Sequence, residues 1–597
     1  MSNKTTNKQA AASEELTQTL ADAADTYRDM LNNFVQAQSQ QNIPDPLGVT
    51  QTFLDTTAAL MKQPEKLAEA QLQFWQSCSN LWLDNTRRWL GEEVATPLEP
   101  EKGDRRFKHA AWDSNPFFDF IKQSYLVTAN SIQSVVEDID GLDEKTAHRA
   151  RFYTKQFVDA MSPSNFALMN PEVLEATVES KGENLLRGLQ NFIDDFDAEK
   201  GELKIKMSDR DAFELGRNVA TTPGKVVFQN DMLQLLHYTP TTEEVYKTPL
   251  LIIPPWINKF YVMDLQAKNS MIKWLVDQGH SVFVISWVNP DAALGDKDFA
   301  DYVLEGALAA MQAVTDCTGE EQINAAGYCI GGTLLAATVA YLQAQQDNRI
   351  KSATFFASML DFSEPGDLGV FIDEEQLGTL EEEMNEKGFH DGAQMSMAFN
   401  MLRANDLIWS FYVHNYLLGR EPFPFDLLYW NSDSTRLPAK MHSTYLRTMY
   451  LENKFRQPGG ISIDDVPIDL SSIQTPAYFI STEEDHIAPW KSTYSGAQLF
   501  SGPVRFVLGR SGHIAGIINH PDADKYGYHT GGAIDVTADE WHQQTDKHPG
   551  SWWPDWNQWL LDFAGEKVPA RLPGTGKLPA LEDAPGSYVK VRVDAEP

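Results

Sequence analysis

Cysteine is scarce, with three residues in a chain of 597, at positions 78, 317 and 329. An odd, sparse set offers no disulfide framework, and the lack of any CxxC pair removes the usual sequence sign of a zinc site. Such a set fits a reducing cytoplasm. Long apolar runs are also missing. The stretches 249–256 and 281–287 fall far short of the roughly 18 residues of a membrane span. The opening residues, MSNKTTNKQAAASEEL, show no apolar core of a secretory signal. Positive charge is the third shortage. Lys and Arg number 49 against 84 Asp and Glu, a net charge of −35. Duplex nucleic acid and anionic membrane surfaces repel such a chain, so nucleic-acid binding is not expected. The acid excess is read as solubility rather than as a specific cationic partner.

The chain is too long for one domain, and its 42% apolar and 22% charged residues fit a folded, globular protein. Residues 1–60 are expected to be a mobile or weakly helical tail. Residues 61–220 are expected to form a helical N-terminal domain, with breaks at Asn115-Pro116, Ser162-Pro163 and Asn170-Pro171. Within it, 64–90 has the pattern of an amphipathic helix that places Trp75, Cys78, Trp82 and Trp89 on one face. Core packing is the expectation for that face. The alternative is an interaction surface for a partner chain or an apolar particle.

From Pro223-Gly224 onward, short β-branched and aromatic runs alternate with helical patterns. Candidate strands lie at 225–229, 233–238, 250–253, 281–286, 323–327, 353–357, 477–481 and 505–508, the first two spaced for a hairpin. A helix is expected at 265–278, ended by Gly279. This alternation predicts an α/β domain over 221–597 with a mainly parallel sheet covered on both faces. The stretch 361–475 is far too long for an ordinary connection. It is rich in Met and aromatic residues, among them Met395, Met401, Trp409, Tyr429 and Trp430, and reads as a cap inserted over an active site.

The most informative segment runs from Gln322 through Gly327-Tyr328-Cys329-Ile330-Gly331-Gly332 to Leu335. It reads as strand, G-x-C-x-G turn and helix, the nucleophile elbow of an α/β-hydrolase fold with Cys in place of Ser. Glycines on both sides let strand and helix approach closely. The helix N-terminus favours a thiolate and an oxyanion. A thiol needs a base, and the base needs a group to orient or balance it. In this fold the acid and then the His follow the nucleophile. Asp485 follows the seventh candidate strand and His513 the eighth, both at strand C-termini, where such sheets place chemistry. His486 is the rival base, but it precedes the eighth strand. Glu483 and Glu484 are read as solvated loop charges. Cys78 and Cys317 lack the turn context and are read as inert core residues. For the oxyanion hole, the Ile330 backbone N–H is the expected first donor. The second is expected from Pro254-Pro255-Trp256-Ile257-Asn258-Lys259, where two prolines lack an N–H and leave Trp256 or Ile257.

These segments resemble the polyhydroxyalkanoate synthase family, in particular its class I type, which polymerises short-chain (R)-3-hydroxyacyl-CoA. Ser162–Phe166 and Asn170-Pro171-Glu172 carry the resemblance in the N-terminal half. Residues 254–261, Ser286-Trp287 with Asn289-Pro290, Gly327–Gly332, 484–490, 511–516 and Gly550-Ser551-Trp552-Trp553-Pro554 carry it in the catalytic half. It spans roughly 110–565. The resemblance implies Cys329 as nucleophile, Asp485 as acid and His513 as base. It implies a cytoplasmic enzyme that dimerises, sits on the surface of its polyester storage granule and uses no metal and no redox cofactor. CoA enters only as the leaving group of the substrate.

The residues alone imply acyl transfer through Cys329; the resemblance supplies a CoA thioester as donor and a growing polyester as acceptor. Asp485 either orients His513 or helps activate the 3-hydroxyl of the next unit. A few Lys or Arg are expected at the pocket mouth to hold the CoA phosphates. Two other readings compete. One is a Cys-type α/β-hydrolase or thioesterase, which leaves the long helical N-terminal domain unexplained. The other is a non-catalytic granule coat protein, which leaves Cys329, Asp485 and His513 idle.

Overall fold

The computed structural model describes residues 48–89, 92, 98–101, 103–197 and 202–593. Of the tail expected at 1–60, residues 1–47 lie outside these, and Val49–Met61 is a helix. The described residues divide into two compact units. One holds those up to Asp209 together with Arg403–Phe423; the other holds Arg210–Leu402 and everything from Pro424 onward. The break thus falls some residues before the expected 220/221, and a piece of the expected insertion at 361–475 belongs to the N-terminal unit.

The N-terminal unit is helical for local reasons that the sequence carries. Pro116–Glu137 begins with Pro at its first position, and the Asn115 side chain accepts from the Phe117 N–H at 3.0 Å. Asp143 caps Glu144–Ala160, and Asn170 caps Pro171–Glu179. Glu183–Asp195 packs on the turn Tyr412–Leu417 of the returning segment so closely that a Cβ on Gly188 would lie 1.8 Å from the Tyr416 carbonyl oxygen. Tyr416 also donates to Asp195 Oδ2 at 2.8 Å. This is why 403–423 leaves the rest of the insertion. The helix Pro64–Trp89 departs from the packing expectation: Trp75 and Trp82 are 61% and 63% exposed, and Cys78 is half-buried.

The second unit is built on an 11-stranded mixed sheet. Its strands are β1 (Gly224–Gln229), β2 (Leu233–Tyr238), β3 (Leu250–Ile253), β4 (Val282–Trp287), β5 (Ile323–Tyr328) and β6 (Ile350–Phe356). They continue as β7 (Ala477–Thr482), β8 (Val504–Gly509), β9 (Gly527–Thr530), β10 (Asp546–Pro549) and β11 (Glu582–Asp583). Their order across the sheet is β10-β9-β8-β7-β6-β5-β3-β4-β2-β1-β11. From β8 to β4 all neighbours are parallel; beyond them both flanks are antiparallel, and β1–β2 is the expected hairpin. Strands β2, β3, β4, β5 and β7 are buried at every position, as a sheet covered on both faces demands.

The helix expected at 265–278 is shorter, Met271–Asp277, and a 3₁₀ turn occupies Phe260–Asp264. Ser270 caps the helix, and its hydroxyl and that of Thr222 both donate to the buried Asp264 carboxylate at 2.6 Å. Those side-chain bonds compete with helix formation before residue 271. The rest of the insertion supplies the helices Glu374–Lys387, Gly392–Leu402, Asp426–Asn431 and Ala439–Tyr445, the last running on into a wide turn, Leu446–Leu451. Among the described residues, no helix is long and apolar enough to cross a membrane.

Candidate active site

Cys329 stands between β5 and the helix Ile330–Ala344 with φ +53° and ψ −125°, a conformation that a residue with a Cβ adopts only under strain. Its N–H is tied to the Phe356 carbonyl oxygen at 2.8 Å. The neighbouring glycines make the turn possible. A Cβ on Gly327 would lie 2.4 Å from the Cα of Gly332, one on Gly331 would lie 2.2 Å from the Ile253 carbonyl oxygen, and one on Gly332 would lie 1.9 Å from Ser358 Oγ. Gly331 therefore sits directly against the end of β3, where the expected oxyanion loop begins. Gly331→Ala is expected to push that loop away and to lower unfolding free energy by about 1–3 kcal/mol, as overpacking does. Urea denaturation of the variant measures this, and a change within 0.3 kcal/mol (roughly the error of such a measurement) rules it out.

Asp485 lies just past β7 and His513 just past β8, and the parallel pairing of these strands brings the two loops together. Asp485 Oδ2 is 2.7 Å from His513 Nδ1, and both side chains are buried. Asp485 Oδ1 accepts from the N–H groups of Ile487 and Ala488, at 2.9 and 2.8 Å. Three donors thus hold the carboxylate in place. The Cys329 side chain lies within electrostatic and hydrogen-bonding reach of the His513 ring. Burial alone lowers the proton affinity of this imidazole. The Asp485 carboxylate and Cys329, by charge and by hydrogen bond, overcome that and push the pKa up to about 10. Thiol, imidazole and carboxylate form one continuous line.

Three tyrosines that were not singled out in the sequence surround this line. Tyr328 stacks on the His513 ring, with centroids 5.5 Å apart and planes 24° apart, and donates from its hydroxyl to the His513 carbonyl oxygen at 3.0 Å. Its place as the first variable residue of G-x-C-x-G was the available signal. Tyr445 and Tyr450 come from the insertion and lie within electrostatic reach of Cys329; burial raises the pKa of both phenols. Phe362 packs on both rings. An apolar, aromatic wall therefore stands beside the thiol.

Ile330 opens its helix, so its N–H has no acceptor within the helix. The Trp256 ring packs among Trp287, Phe299 and Tyr302, and the one proton of the Thr435 hydroxyl is shared between the carbonyl oxygens of Trp256 and Ile257, 2.6 and 2.5 Å away. That hydroxyl holds the loop from the insertion side. Cys317 is half-buried against the core, where burial pushes its thiol up to about 11. Glu484 is exposed, but Glu483 is not a solvated loop charge: its carboxylate faces His529 at 3.2 Å.

Residues 103–275 match the family described as the N-terminus of poly-beta-hydroxybutyrate polymerase, and residues 248–519 match the alpha/beta hydrolase fold family. The poly(3-hydroxyalkanoate) polymerase of Methylorubrum extorquens is 48% identical over 545 residues, which cover 91% of this chain and 90% of that protein. The poly(3-hydroxyalkanoate) polymerase subunit of Rhizobium etli is 47% identical over 579 residues, covering 94% and 91% respectively. Among solved structures, the enol-lactonase of Burkholderia xenovorans aligns at 14% identity with a TM-score of 0.25, covering 48% of this chain and 91% of its own.

Proposed function

This chain belongs to the poly(3-hydroxyalkanoate) polymerase family, acyltransferase-type enzymes of polyester synthesis on an α/β-hydrolase fold, and from that premise we propose that it polymerises (R)-3-hydroxyacyl-CoA, 3-hydroxybutyryl-CoA in the first instance, through an acyl thioester on Cys329. The observation that carries this reading is Cys329 at a strained strand-to-helix turn, within electrostatic reach of His513, which is itself hydrogen-bonded to Asp485.

His513 takes the Cys329 proton, and Sγ attacks the thioester carbonyl carbon. The oxyanion that forms lies at the N-terminus of Ile330–Ala344, where the Ile330 N–H and a donor from Trp256 or Ile257 stabilise it. The carbon–sulfur bond to CoA breaks, and the imidazolium returns its proton to the departing thiolate. The acyl group now rests on Cys329 as a thioester of nearly the same energy as the one consumed. In its onward transfer the 3-hydroxyl oxygen bonds the acyl carbon, the bond to Cys329 Sγ breaks, and the hydroxyl proton passes by way of His513 to the released sulfur. The oxygen ester lies downhill, so no ATP is required. Asp485 orients the imidazole through Nδ1 and holds its charge. The wall of Phe362, Tyr445 and Tyr450 keeps water, the competing acceptor, from the acyl-enzyme. None of these steps calls for a metal or a redox group.

The same reading places the enzyme in the cytoplasm as a homodimer on the surface of polyester granules. Exposed Trp75 and Trp82 support an apolar contact surface on the helix Pro64–Trp89. Incubation with (R)-3-hydroxybutyryl-CoA, following free CoA and insoluble polyester together, tests the proposal. CoA and polymer are expected in proportion. CoA with only free hydroxy acid makes the protein a thioesterase and overturns it.

A further inference from the structure

A second cluster of reactive side chains lies apart from the acyl-transfer line. Glu483, from the loop after β7, meets His529 of β9 and His542 of the helix Ala538–Gln543, and their potential ligand atoms all lie within 4.8 Å of one another. His529 is buried, while Glu483 and His542 are half-buried.

The hydrogen bonds around the cluster leave ring nitrogens of both histidines facing the same carboxylate oxygen. The single hydroxyl proton of Thr545 goes to the His542 carbonyl oxygen at 2.7 Å. The 3.0 Å contact between Thr545 Oγ1 and His529 Nδ1 therefore requires a proton on Nδ1. A neutral His529 then aims a bare Nε2 lone pair at Glu483 Oε1, 3.2 Å away. An ionised carboxylate only accepts, so two lone pairs face each other. His542 Nε2 stands 3.7 Å from the same oxygen and, though buried, has no hydrogen-bond partner. A cation placed between the three atoms would satisfy all of them at once.

We propose that Glu483, His529 and His542 bind one divalent transition-metal ion, zinc by preference, as a structural clamp beside the acyl-transfer site. Two imidazoles and a carboxylate are a zinc donor set that leaves the fourth tetrahedral position for water. At zinc–ligand distances near 2.0–2.2 Å, neighbouring tetrahedral ligands sit roughly 3.3–3.5 Å apart. The observed separations from Glu483 Oε1, 3.2 and 3.7 Å, bracket that value. Thr545 fixes the His529 tautomer that leaves Nε2 free to ligate, and Arg510 Nε, 3.5 Å from Oε2, holds the other carboxylate oxygen away from the histidines. Glu483 is anchored through its N–H to the Gly509 carbonyl oxygen, and Asp485 follows two residues later. The ion would tie β9 and the following helix to the loop that carries Asp485. It takes no part in the transfer itself.

The test uses tag-free full-length protein carrying Cys329→Ala, so that zinc cannot lodge on the Cys329–His513 pair. After chelator treatment, zinc is titrated against a chromophoric competitor. One equivalent is expected to bind and to raise Tm by about 2 °C at a hundredfold excess over Kd. Cobalt(II) is expected to give the visible bands of a four-coordinate site. His542→Gln, at a half-exposed position, is expected to weaken zinc binding at least roughly tenfold with an unchanged far-UV spectrum, and Glu483→Gln to do the same. Absence of stoichiometric binding at micromolar zinc overturns the proposal. So does undiminished binding in both variants. Neither result bears on polymer synthesis, which is measured separately.

Discussion

Cys329→Ala is expected to lower CoA release from (R)-3-hydroxybutyryl-CoA by roughly 10⁴-fold or more, with no polymer and no acylated protein by intact mass. The size follows from the chemistry. Without Sγ, His513 has no nucleophile to activate, and what remains is whatever the oxyanion donors and binding achieve with water. The fold is expected to survive. Alanine keeps the Cβ, so the strain at φ +53° is unchanged, and the half-buried sulfur leaves little void. The stability change should stay within about 1 kcal/mol. Cys329→Gly separates strain from chemistry: it is equally inactive but is expected to exceed the alanine variant in stability by up to about 1 kcal/mol, because glycine accepts this backbone without penalty. Cys329→Ser keeps a nucleophile but forms an oxygen ester on the enzyme. Transfer from it to a hydroxyl is no longer downhill, so chain growth should fail even where acylation is detected. Release above one-hundredth of wild type in Cys329→Ala would show that the thiol is not the acyl carrier.

The central sheet and the grouping of Cys329, His513 and Asp485 were legible because local signals and chain order agree there. The runs that become β3 to β8 are short and apolar, with β3, β4, β5 and β7 buried throughout, and G-x-C-x-G marks the strand-to-helix turn by the glycines it cannot do without. Chain order then separated His513 from His486, and the structure shows His513 on Asp485. The outer strands escaped for a different reason. Gly527–Thr530 and Asp546–Pro549 have the composition of loops and exist through pairing beside β8, a non-local gain that no window of sequence displays. The partition of 361–475 is hidden in the same way. Nothing in Arg403–Phe423 announces that Gly188, more than 200 positions earlier, offers the bare backbone against which it packs. The Glu483, His529 and His542 cluster lacks a motif because its members lie on three elements and only the fold brings them together.

Asp485→Asn carries the second large effect, and its direction with pH is fixed by His513. The Asp485 backbone neighbours, Ile487 and Ala488, donate to Oδ1 and will hold the asparagine oxygen there. The amide nitrogen then faces His513 Nδ1, donor toward donor. To relieve this, the imidazole must carry its proton on Nε2, toward the sulfur, where it can no longer accept one. Activity at neutral pH is expected to fall roughly 10³- to 10⁴-fold. Stability follows the same group. In the wild type the folded pKa of His513 stands near 10, above the ordinary 6.5, because the carboxylate and Cys329 outweigh burial. A raised folded pKa stabilises fully below 6.5 and ceases to do so as pH climbs through 10. With the carboxylate gone, burial dominates and that contribution disappears. The stability gap between wild type and Asp485→Asn should therefore be widest at pH 6.5 and below and narrow steadily as pH rises toward 10. Urea denaturation at half-unit intervals reads this directly. A gap that is constant, or that widens with pH, would mean that Asp485 does not hold the charge on His513.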